Sequence, residues 1–186
     1  MQWIDTEKAV SRFNAWGTGD RPFFFLTDYL HQRWLVEPID GLSADELLYA
    51  FPGHCNAPDE EAKARPLVWQ PHPLTPEAYH EKFEIVHRNM LAGNSYLANL
   101  TCRIPLDTNL SLRDIFLLSH ARYRLWVKDA FVCFSPESFV RIRDGVISSY
   151  PMKGTISCSV PDALQTLLGD VKETTKHATI INLIRN

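Results

Sequence analysis

The sequence has no long hydrophobic run. None of its apolar stretches reaches the ~18 residues that a membrane-spanning helix needs. The first residues, Met1 to Glu7, also lack the basic start and the apolar stretch of a signal peptide. We therefore expect neither a membrane span nor a membrane partner.

Cysteine is scarce, and positive charge is not in excess. No two cysteines have the C-x-x-C spacing of a redox or zinc site, and the seven histidines show no metal-ligand spacing. This pattern predicts a reduced, cytoplasmic protein. The formal net charge of −3 gives no electrostatic reason to expect nucleic acid as a partner. The four cysteines are Cys55, Cys102, Cys133 and Cys158.

Hydrophobic residues make up 45% of the 186 residues, which is enough to bury a core as one domain. No repeat, low-complexity tract or linker divides residues 1–186. Two β-prone runs, Pro22–Thr27 and Arg33–Glu37, predict strands, and a short helix is predicted around Ala44–Phe51. The polar and charged segment Cys55–Pro66 predicts a mobile loop.

The next helix has clear start signals. Thr75 suits the N-cap and Pro76 the first helical position, and the helix is predicted to run to about Leu91. Apolar side chains recur along it at helical spacing, which predicts a stripe facing the core. The stripe consists of Tyr79, Phe83, Val86 and Met90.

The second half of the chain alternates strands and helices. Ser95–Arg103 alternates apolar and polar residues and predicts a strand. Ser111–Asp114 forms a near capping box, and Ser159 with Pro161 predicts another helix before a final one that starts near Lys172. Helices grouped between antiparallel hairpins indicate an α+β fold of antiparallel sheets with packed helices.

A predicted hairpin brings a lysine and a glutamate to two ends of one folded unit. Two β-prone runs, Ser138–Arg143 and Val146–Tyr150, are joined by Asp144-Gly145, which suits a two-residue turn with positive φ. Glu137 precedes the hairpin and Lys153 follows it. A desolvated lysine is a nucleophile and a carboxylic acid can protonate a leaving hydroxyl, so the pair suits covalent displacement chemistry. The alternative is a solvated surface pair.

Several segments resemble the chorismate-binding enzymes, and within them the para-aminobenzoate branch, aminodeoxychorismate synthase component I. The matches lie in the family's order and cover roughly residues 80–186. They are Gly93-Asn-Ser-Tyr-Leu-Ala-Asn-Leu-Thr101, Ser135-Pro-Glu-Ser-Phe139, Pro151-Met-Lys-Gly-Thr155, and the helix from Lys172-Glu173 to Ile180-Ile-Asn-Leu-Ile-Arg-Asn186. The resemblance implies the first part of the chorismate-utilising fold.

The third residue of the P-x-K-G-T segment separates the branches of this family. Anthranilate synthases and isochorismate-forming relatives typically carry alanine there, so Lys153 points to the aminodeoxychorismate branch. The resemblance implies that Lys153 attacks the chorismate ring while Glu137 assists departure of the C4 hydroxyl, and that ammonia then displaces the lysine. It also implies substrate binding by Gly154 and Thr155, a magnesium ion, and a glutamine amidotransferase partner that supplies ammonia.

Two departures from the family pattern matter. The family places a magnesium-binding glutamate where this chain has Lys176, and a cation repels Mg²⁺ at close range. Glu173, one turn earlier, is the nearest substitute. The apolar helical run Ala178–Arg185 also ends without a glycine cap or a polar tail, and the family continues for a comparable length. We therefore expect residues 1–186 to be an incomplete chorismate-binding domain.

Two hypotheses of different classes follow from the sequence. The first is the N-terminal part of an enzyme that converts chorismate and ammonia to 4-amino-4-deoxychorismate, with residues 1–186 alone inactive. The second is a catalytically silent fragment, or a binding or assembly module, of the same fold. Another chorismate-utilising enzyme, such as anthranilate synthase component I, is a further alternative.

Overall fold

Helices and short antiparallel strands alternate along the chain. The computed structural model describes residues 1–19, 21–59, 66–95, 98–135, 137–150 and 155–185, without the side chains of Lys172, Glu173, Lys176 and Leu183. In chain order the elements are α1 (Thr6–Thr18), β1 (Phe23–Thr27), β2 (Trp34–Pro38), a 3-10 turn (Ile39–Gly41), β3 (Leu47–Phe51), β4 (His54–Cys55), β5 (Trp69–Pro71), α2 (Pro76–Leu91), β6 (Leu106–Thr108), α3 (Leu112–Leu118), β7 (Tyr123–Val127), β8 (Phe131–Ser135), β9 (Arg141–Arg143), β10 (Val146–Ser148), α4 (Ala163–Gly169) and α5 (Val171–Arg185).

A four-stranded antiparallel sheet lies at the centre of the core. Its strand order is β4-β3-β7-β8, and Leu47 and Leu48 of β3 lie opposite Val127 and Trp126 of β7. Leu47 and Val127 belong to one buried apolar cluster, whereas Leu48 and Trp126 pack with Phe116 of α3 in another. The two middle strands are therefore covered on both faces.

The predicted helix around Ala44–Phe51 is wrong, because this segment contains β3. The amides of Glu46 and Leu47 both donate to the carbonyl of Ser43, so the chain forms one turn here and does not continue as a helix. The apolar residues that follow are buried on both faces of the sheet. A continuous apolar run of this kind has no periodicity that distinguishes a strand from a buried helix.

The predicted strands near the N-terminus are confirmed as β1 and β2. They form an antiparallel ladder in which Phe23 lies opposite Pro38 and Thr27 opposite Trp34. α1 packs on this ladder through Ala9, which is buried. The helix begins after Asp5, whose carboxylate accepts the N–H of Lys8 at 2.9 Å, and this bond lowers the pKa of Asp5.

The predicted mobile loop begins with an ordered residue. The side-chain oxygen of Asn56 accepts the N–H of Tyr49 at 2.7 Å, and its amide nitrogen donates to the carbonyl of Leu47 at 2.9 Å. β4 pairs only with Ala50 and Phe51 of β3. The Asn56 side chain therefore bonds the backbone of β3 where β4 does not reach it. Residues 60–65 lie outside the described residues, so the mobility of the loop stays a prediction.

The predicted start of α2 is confirmed, but its predicted packing is wrong. The hydroxyl of Thr75 accepts the N–H of Ala78 at 3.2 Å, and Pro76 is the first helical residue. None of the helix side chains is buried: Tyr79 is 46%, Phe83 42% and Met90 41% exposed. The apolar stripe is present as predicted, but no described element covers it.

The predicted strand Ser95–Arg103 is also wrong over the part that the structure describes. Residues 98–103 form no ladder, and residues 96 and 97 lie outside the described residues. Leu100 and Cys102 are half-buried while Thr101 and Arg103 are exposed, so burial alternates from Leu100 onwards, but Ala98 is exposed. Alternating residues predict which side chains share a face of the chain. A β-strand also needs a neighbouring strand to pair with, and the local sequence does not specify that neighbour.

The later elements agree with the sequence. Ser111 caps α3 in a capping box with Asp114, as predicted. α4 starts at Ala163, shortly after Pro161, and α5 covers the predicted final helix. Antiparallel ladders and helices together give the expected α+β fold.

Candidate functional site

A small cavity lies between the segment after β8, the β9–β10 hairpin and α5. Its volume is about 290 Å³, near the lower end of the range for small-molecule sites. Its walls combine hydroxyl groups, one carboxylate and apolar side chains. The residues that line it are Ser135, Glu137, Ser138, Phe139, Ser149, Ile180 and Ile184.

Glu137 reaches this cavity from a backbone that is held by a neighbouring hydroxyl. The Ser135 hydroxyl donates to the carbonyl of Glu137 at 2.7 Å, and the N–H of Glu137 donates back to the same hydroxyl at 3.4 Å. The Glu137 side chain is half-buried. One serine thus fixes both backbone groups of Glu137 at the end of a strand whose register is set by β7.

The predicted hairpin is confirmed, with shorter strands than expected. Arg141 of β9 pairs with Ser148 of β10, and Asp144 and Gly145 adopt φ values of 52° and 74°. A two-residue turn of this hand requires positive φ at both central positions. Beyond the ladder, the hydroxyl of Ser149 donates to the carbonyl of Phe139 at 2.8 Å. The chain therefore returns to within two residues of Glu137, as the sequence predicted.

The other predicted residues of this segment are only partly described. Lys153 and Gly154 lie outside the described residues, so their predicted roles stay predictions. Thr155 is described and is exposed. The structure thus places Glu137 at a cavity, and the described chain runs through the hairpin to Tyr150 and resumes at Thr155.

α5 supplies the apolar wall of the cavity. Ile180 and Ile184, one helical turn apart, line it, and His177 lies one turn before Ile180 on the same face. His177 is half-buried, and its Nδ1 atom is buried without a hydrogen-bond partner in the described part of the chain. Glu173 and Lys176 belong to α5, but their side chains lie outside the described part.

The described residues do not by themselves form a magnesium site. Glu137 is the single carboxylate among the residues that line the cavity, and no group of three or more His, Cys, Asp or Glu residues in the described ranges could hold a metal ion. Mg²⁺ is usually held in octahedral oxygen coordination by one or two carboxylates together with waters and substrate oxygens, so Glu137 alone of the described lining residues could contribute a carboxylate ligand.

A second, larger cavity of about 370 Å³ lies beside β1 and the central sheet. Its lining is almost entirely aromatic and aliphatic, with side chains such as Phe24, Tyr49 and Phe51. His54 is its single imidazole and is exposed. The smaller cavity has the acid and the hydroxyl groups that proton transfer requires, so we place the candidate site there.

Sequence reasoning singled out Glu137, whose catalytic role stays a prediction, and did not name the other lining residues as parts of a site. Ser149 follows a strand without any distinctive motif, and its approach to Phe139 depends on the hairpin register. Ile180 and Ile184 lie some forty residues after Glu137, and only the packing of α5 brings them to it. The helical spacing of His177, Ile180 and Ile184 was the available signal for a shared face.

The cavity at Glu137 combines one carboxylate, hydroxyl groups and apolar side chains, a lining typical of small-molecule sites. Within the described ranges, no helix has the length and apolar character to cross a membrane. Residues 35–186 match the family described as chorismate binding enzyme. The chain belongs to this family.

Individual relatives agree with the family match. An uncharacterized PabA-like protein of Haemophilus influenzae is 40% identical over 177 residues, and one of Pasteurella multocida is 38% identical over 178 residues. The matches cover 95% of this chain but only 54% and 55% of those proteins. This chain therefore spans about half the length of the curated relatives it matches.

More distant relatives carry a named activity. The aminodeoxychorismate synthase component 1 of Klebsiella aerogenes is 28% identical over 125 residues, covering 61% of this chain and 28% of that protein. The same-named protein of Salmonella typhimurium is 26% identical over 168 residues, covering 84% and 37%. No solved structure matches the chain significantly.

Proposed function

We propose that this chain is the chorismate-binding part of an aminodeoxychorismate synthase component I-like enzyme, which converts chorismate and ammonia to 4-amino-4-deoxychorismate. One observation carries the proposal: Glu137 lines a small-molecule cavity at the base of the hairpin that leads directly to Pro151-Met-Lys-Gly-Thr155. Two relatives named aminodeoxychorismate synthase component 1 support it.

The proposed chemistry uses two residues of this chain. The neutral amine of Lys153 forms a bond to the chorismate ring while the bond to the C4 hydroxyl breaks. Glu137 gives a proton, so the hydroxyl leaves as water. Ammonia then bonds to the ring and the lysine leaves, taking back its electron pair. The ammonium that forms when ammonia bonds to the ring returns one proton to Glu137. The net reaction replaces one hydroxyl by one amine with release of water, and both protein groups return to their starting state.

The position of Glu137 suits the acid role. Its side chain is half-buried beside Phe139 and the isoleucines of α5, where a bound ring would displace water. The hydroxyls of Ser135, Ser138 and Ser149 lie around the same cavity. Those of Ser135 and Ser149 donate their protons to the carbonyls of Glu137 and Phe139, so we assign the contact with a substrate carboxylate to the hydroxyl of Ser138.

The proposal also includes a metal ion, a partner protein and a cellular compartment. The resemblance implies Mg²⁺, and we assign no step to it, since the described donors do not form its site. Ammonia comes from a glutamine amidotransferase partner. We place the reaction in the cytoplasm, because the four cysteines are free thiols.

The proposal is tested with the longest natural polypeptide that contains residues 1–186, supplied with chorismate, ammonium and Mg²⁺. Lys153→Ala should lower formation of the amino product by more than about a hundredfold, because the covalent route loses its nucleophile. Glu137→Gln should lower turnover by about a hundredfold with chorismate affinity largely kept, since a general acid acts in the transition state. Chromatography separates the amino product from chorismate.

Matched controls remove charge elsewhere. Lys128→Ala and Asp129→Asn alter the exposed turn between β7 and β8 and should leave turnover unchanged. Wild-type turnover in Lys153→Ala would refute the lysine assignment. A wild-type protein without turnover would favour the silent binding or assembly module. An anthranilate product would overturn the branch assignment.

A further inference from the structure

One face of α5 is half-buried along its length. Its half-buried side chains are those of His177, Ile180 and Ile184, whereas the other described side chains of the helix are exposed. Spacings of three and four residues place side chains on the same face of a helix. Ile180 and Ile184 line the cavity that Glu137 also lines. The face of α5 that forms the apolar wall of the cavity therefore continues to an imidazole.

His177 lies next to the cavity along this face. Residues three apart on a helix have Cβ atoms about 5–6 Å from each other. A ligand that contacts Ile180 is therefore within reach of the imidazole of His177. Because Glu137 lines the same cavity, a molecule that fills it lies close to a carboxylate, an apolar wall and an imidazole at once.

One nitrogen of this imidazole is buried without a partner. Among the residues that the structure describes, none forms a hydrogen bond with Nδ1 of His177. Each nitrogen of a neutral imidazole is either a donor or an acceptor. A buried polar atom that forms no hydrogen bond is unfavourable, so such atoms are rare in folded proteins. A polar group of a molecule bound beside α5 would supply the bond.

The hydroxyl groups at the cavity leave room for one more donor. The hydroxyl protons of Ser135 and Ser149 are already donated to backbone carbonyls. Ser138 offers one donor to a carboxylate, but chorismate carries two carboxylates. Since a carboxylate only accepts hydrogen bonds, the second carboxylate needs another donor near the cavity. An imidazole that carries its proton on Nδ1 is such a donor.

We propose that His177 is a further substrate-binding residue, whose Nδ1–H donates a hydrogen bond to a carboxylate of the ligand in this cavity. The inference rests on the proposed function, because it takes chorismate as the ligand. Hydrogen bonds to an ionised group are stronger than bonds between neutral groups. His177 belongs to α5 and Ser138 to the segment after β8, so contacts with both fix the orientation of the ring relative to Glu137.

The test replaces His177 by the two amides that imitate its two nitrogens. In asparagine the amide nitrogen is attached to Cγ, as Nδ1 is in histidine, whereas in glutamine it lies one atom further along, near the place of Nε2. Chorismate binding is measured by calorimetry, with Mg²⁺ but without ammonium, in the longest natural polypeptide that contains residues 1–186. His177→Asn should keep the affinity within about threefold, and His177→Gln should lower it by about tenfold or more, as expected for the loss of a hydrogen bond to a charged group.

Two further measurements separate binding from packing. In turnover, His177→Gln should raise KM by about tenfold with little change in kcat, since the bond is present in the ground state and the transition state alike. His80→Gln is the matched control, because the side chain of His80 is 69% exposed on α2, and it should change neither constant. In NMR spectra of the wild-type protein with ¹⁵N-labelled histidine, the Nδ1 signal that His177→Asn removes should shift when chorismate is added.

Three outcomes would overturn the proposal. One is an equal loss of affinity in His177→Asn and His177→Gln, which would mean that the ring only packs. Another is wild-type affinity in His177→Gln. The third is an Nδ1 signal of His177 that does not respond to chorismate, including the case in which the wild-type protein does not bind it. Binding that follows the expected pattern without formation of the amino product would refute the proposed reaction and support the role of His177.

Discussion

The carboxylate of Glu137 depends on the residue two positions earlier. Ser135 bonds both the N–H and the carbonyl of Glu137 through one hydroxyl, and the intervening residue 136 lies outside the described part. A proton donor must be held close to its productive position, because small displacements cost large factors in rate. Ser135 is therefore a positioning residue for the proposed acid.

Replacing Ser135 tests this positioning role. Ser135→Ala should lower turnover by about tenfold with a small change in KM, since the backbone of Glu137 loses both bonds while substrate contacts remain. Ser135→Thr keeps the hydroxyl and should restore most of the rate. Ser138→Ala removes another cavity hydroxyl and serves as the comparison. Equal losses in Ser135→Ala and Ser138→Ala would show that Ser135 has no special role.

Cys133 offers a pH-dependent observation at the residue scale. Although the residue as a whole is exposed, partial burial of its thiol raises the pKa of Cys133. The thiolate is the reactive form, so the folded chain should need a higher pH than the unfolded chain for the same alkylation rate. Mass spectrometry of the Cys133 peptide, with and without urea, gives both pH profiles. A lower midpoint of the alkylation pH profile in the folded chain than in the unfolded chain would contradict the burial of the Cys133 thiol.

At the scale of elements, local signals were sufficient for some parts and not for others. The caps at Thr75 and Ser111 predicted α2 and α3, because a cap uses bonds within one turn. The hairpin was predicted for the same reason, from Asp144-Gly145. β3 was mistaken for a helix because its burial depends on distant chain segments. The apolar stripe of α2 predicted an amphipathic helix but not which element, if any, packs against it. Glu137 was found from its motif, whereas Ile180 and Ile184 depend on tertiary packing.

The buried position of β3 predicts its contribution to stability. Leu48→Ala should lower the free energy of unfolding by about 2–5 kcal/mol, because it leaves a cavity beside Phe116 and Trp126. Leu168→Ala, at a site on α4 that is 59% exposed, should change it by less than about 0.5 kcal/mol. Urea unfolding followed by fluorescence measures both. Similar losses for the two variants would place α4 in the core.

At the scale of the whole molecule, the open apolar surface predicts the behaviour of residues 1–186 in isolation. We expect self-association, with binding of a dye that reports exposed apolar surface, because stripes and strand edges remain uncovered. Sedimentation over a concentration series and dye fluorescence provide the measurement. A monomer that unfolds sharply and binds no dye would contradict the expected open surface.

Metal dependence is a second property of the isolated chain. We expect residues 1–186 neither to convert chorismate with added ammonia nor to bind it more tightly with Mg²⁺, because the described ligand set is incomplete and position 176 is a lysine. Calorimetric titration of chorismate with and without Mg²⁺ decides this. Magnesium-linked tightening would mean that Glu173 or another carboxylate has taken the ligand role. In the longest natural polypeptide, Lys176→Glu should increase magnesium dependence.

The pairing of β3 with β7 also determines when the chain can fold during its synthesis. Leu47 needs Val127 as its ladder partner, and the residues between them must be made before the two strands can meet. A nascent chain that ends anywhere before β7 carries Leu47, Leu48 and Tyr49 on a strand that has β4 on one edge and no ladder partner on the other. Such a strand is exposed to aggregation or to chaperone binding until β7 leaves the ribosome. The rate of translation between β4 and β7 thus sets how long this vulnerable state lasts.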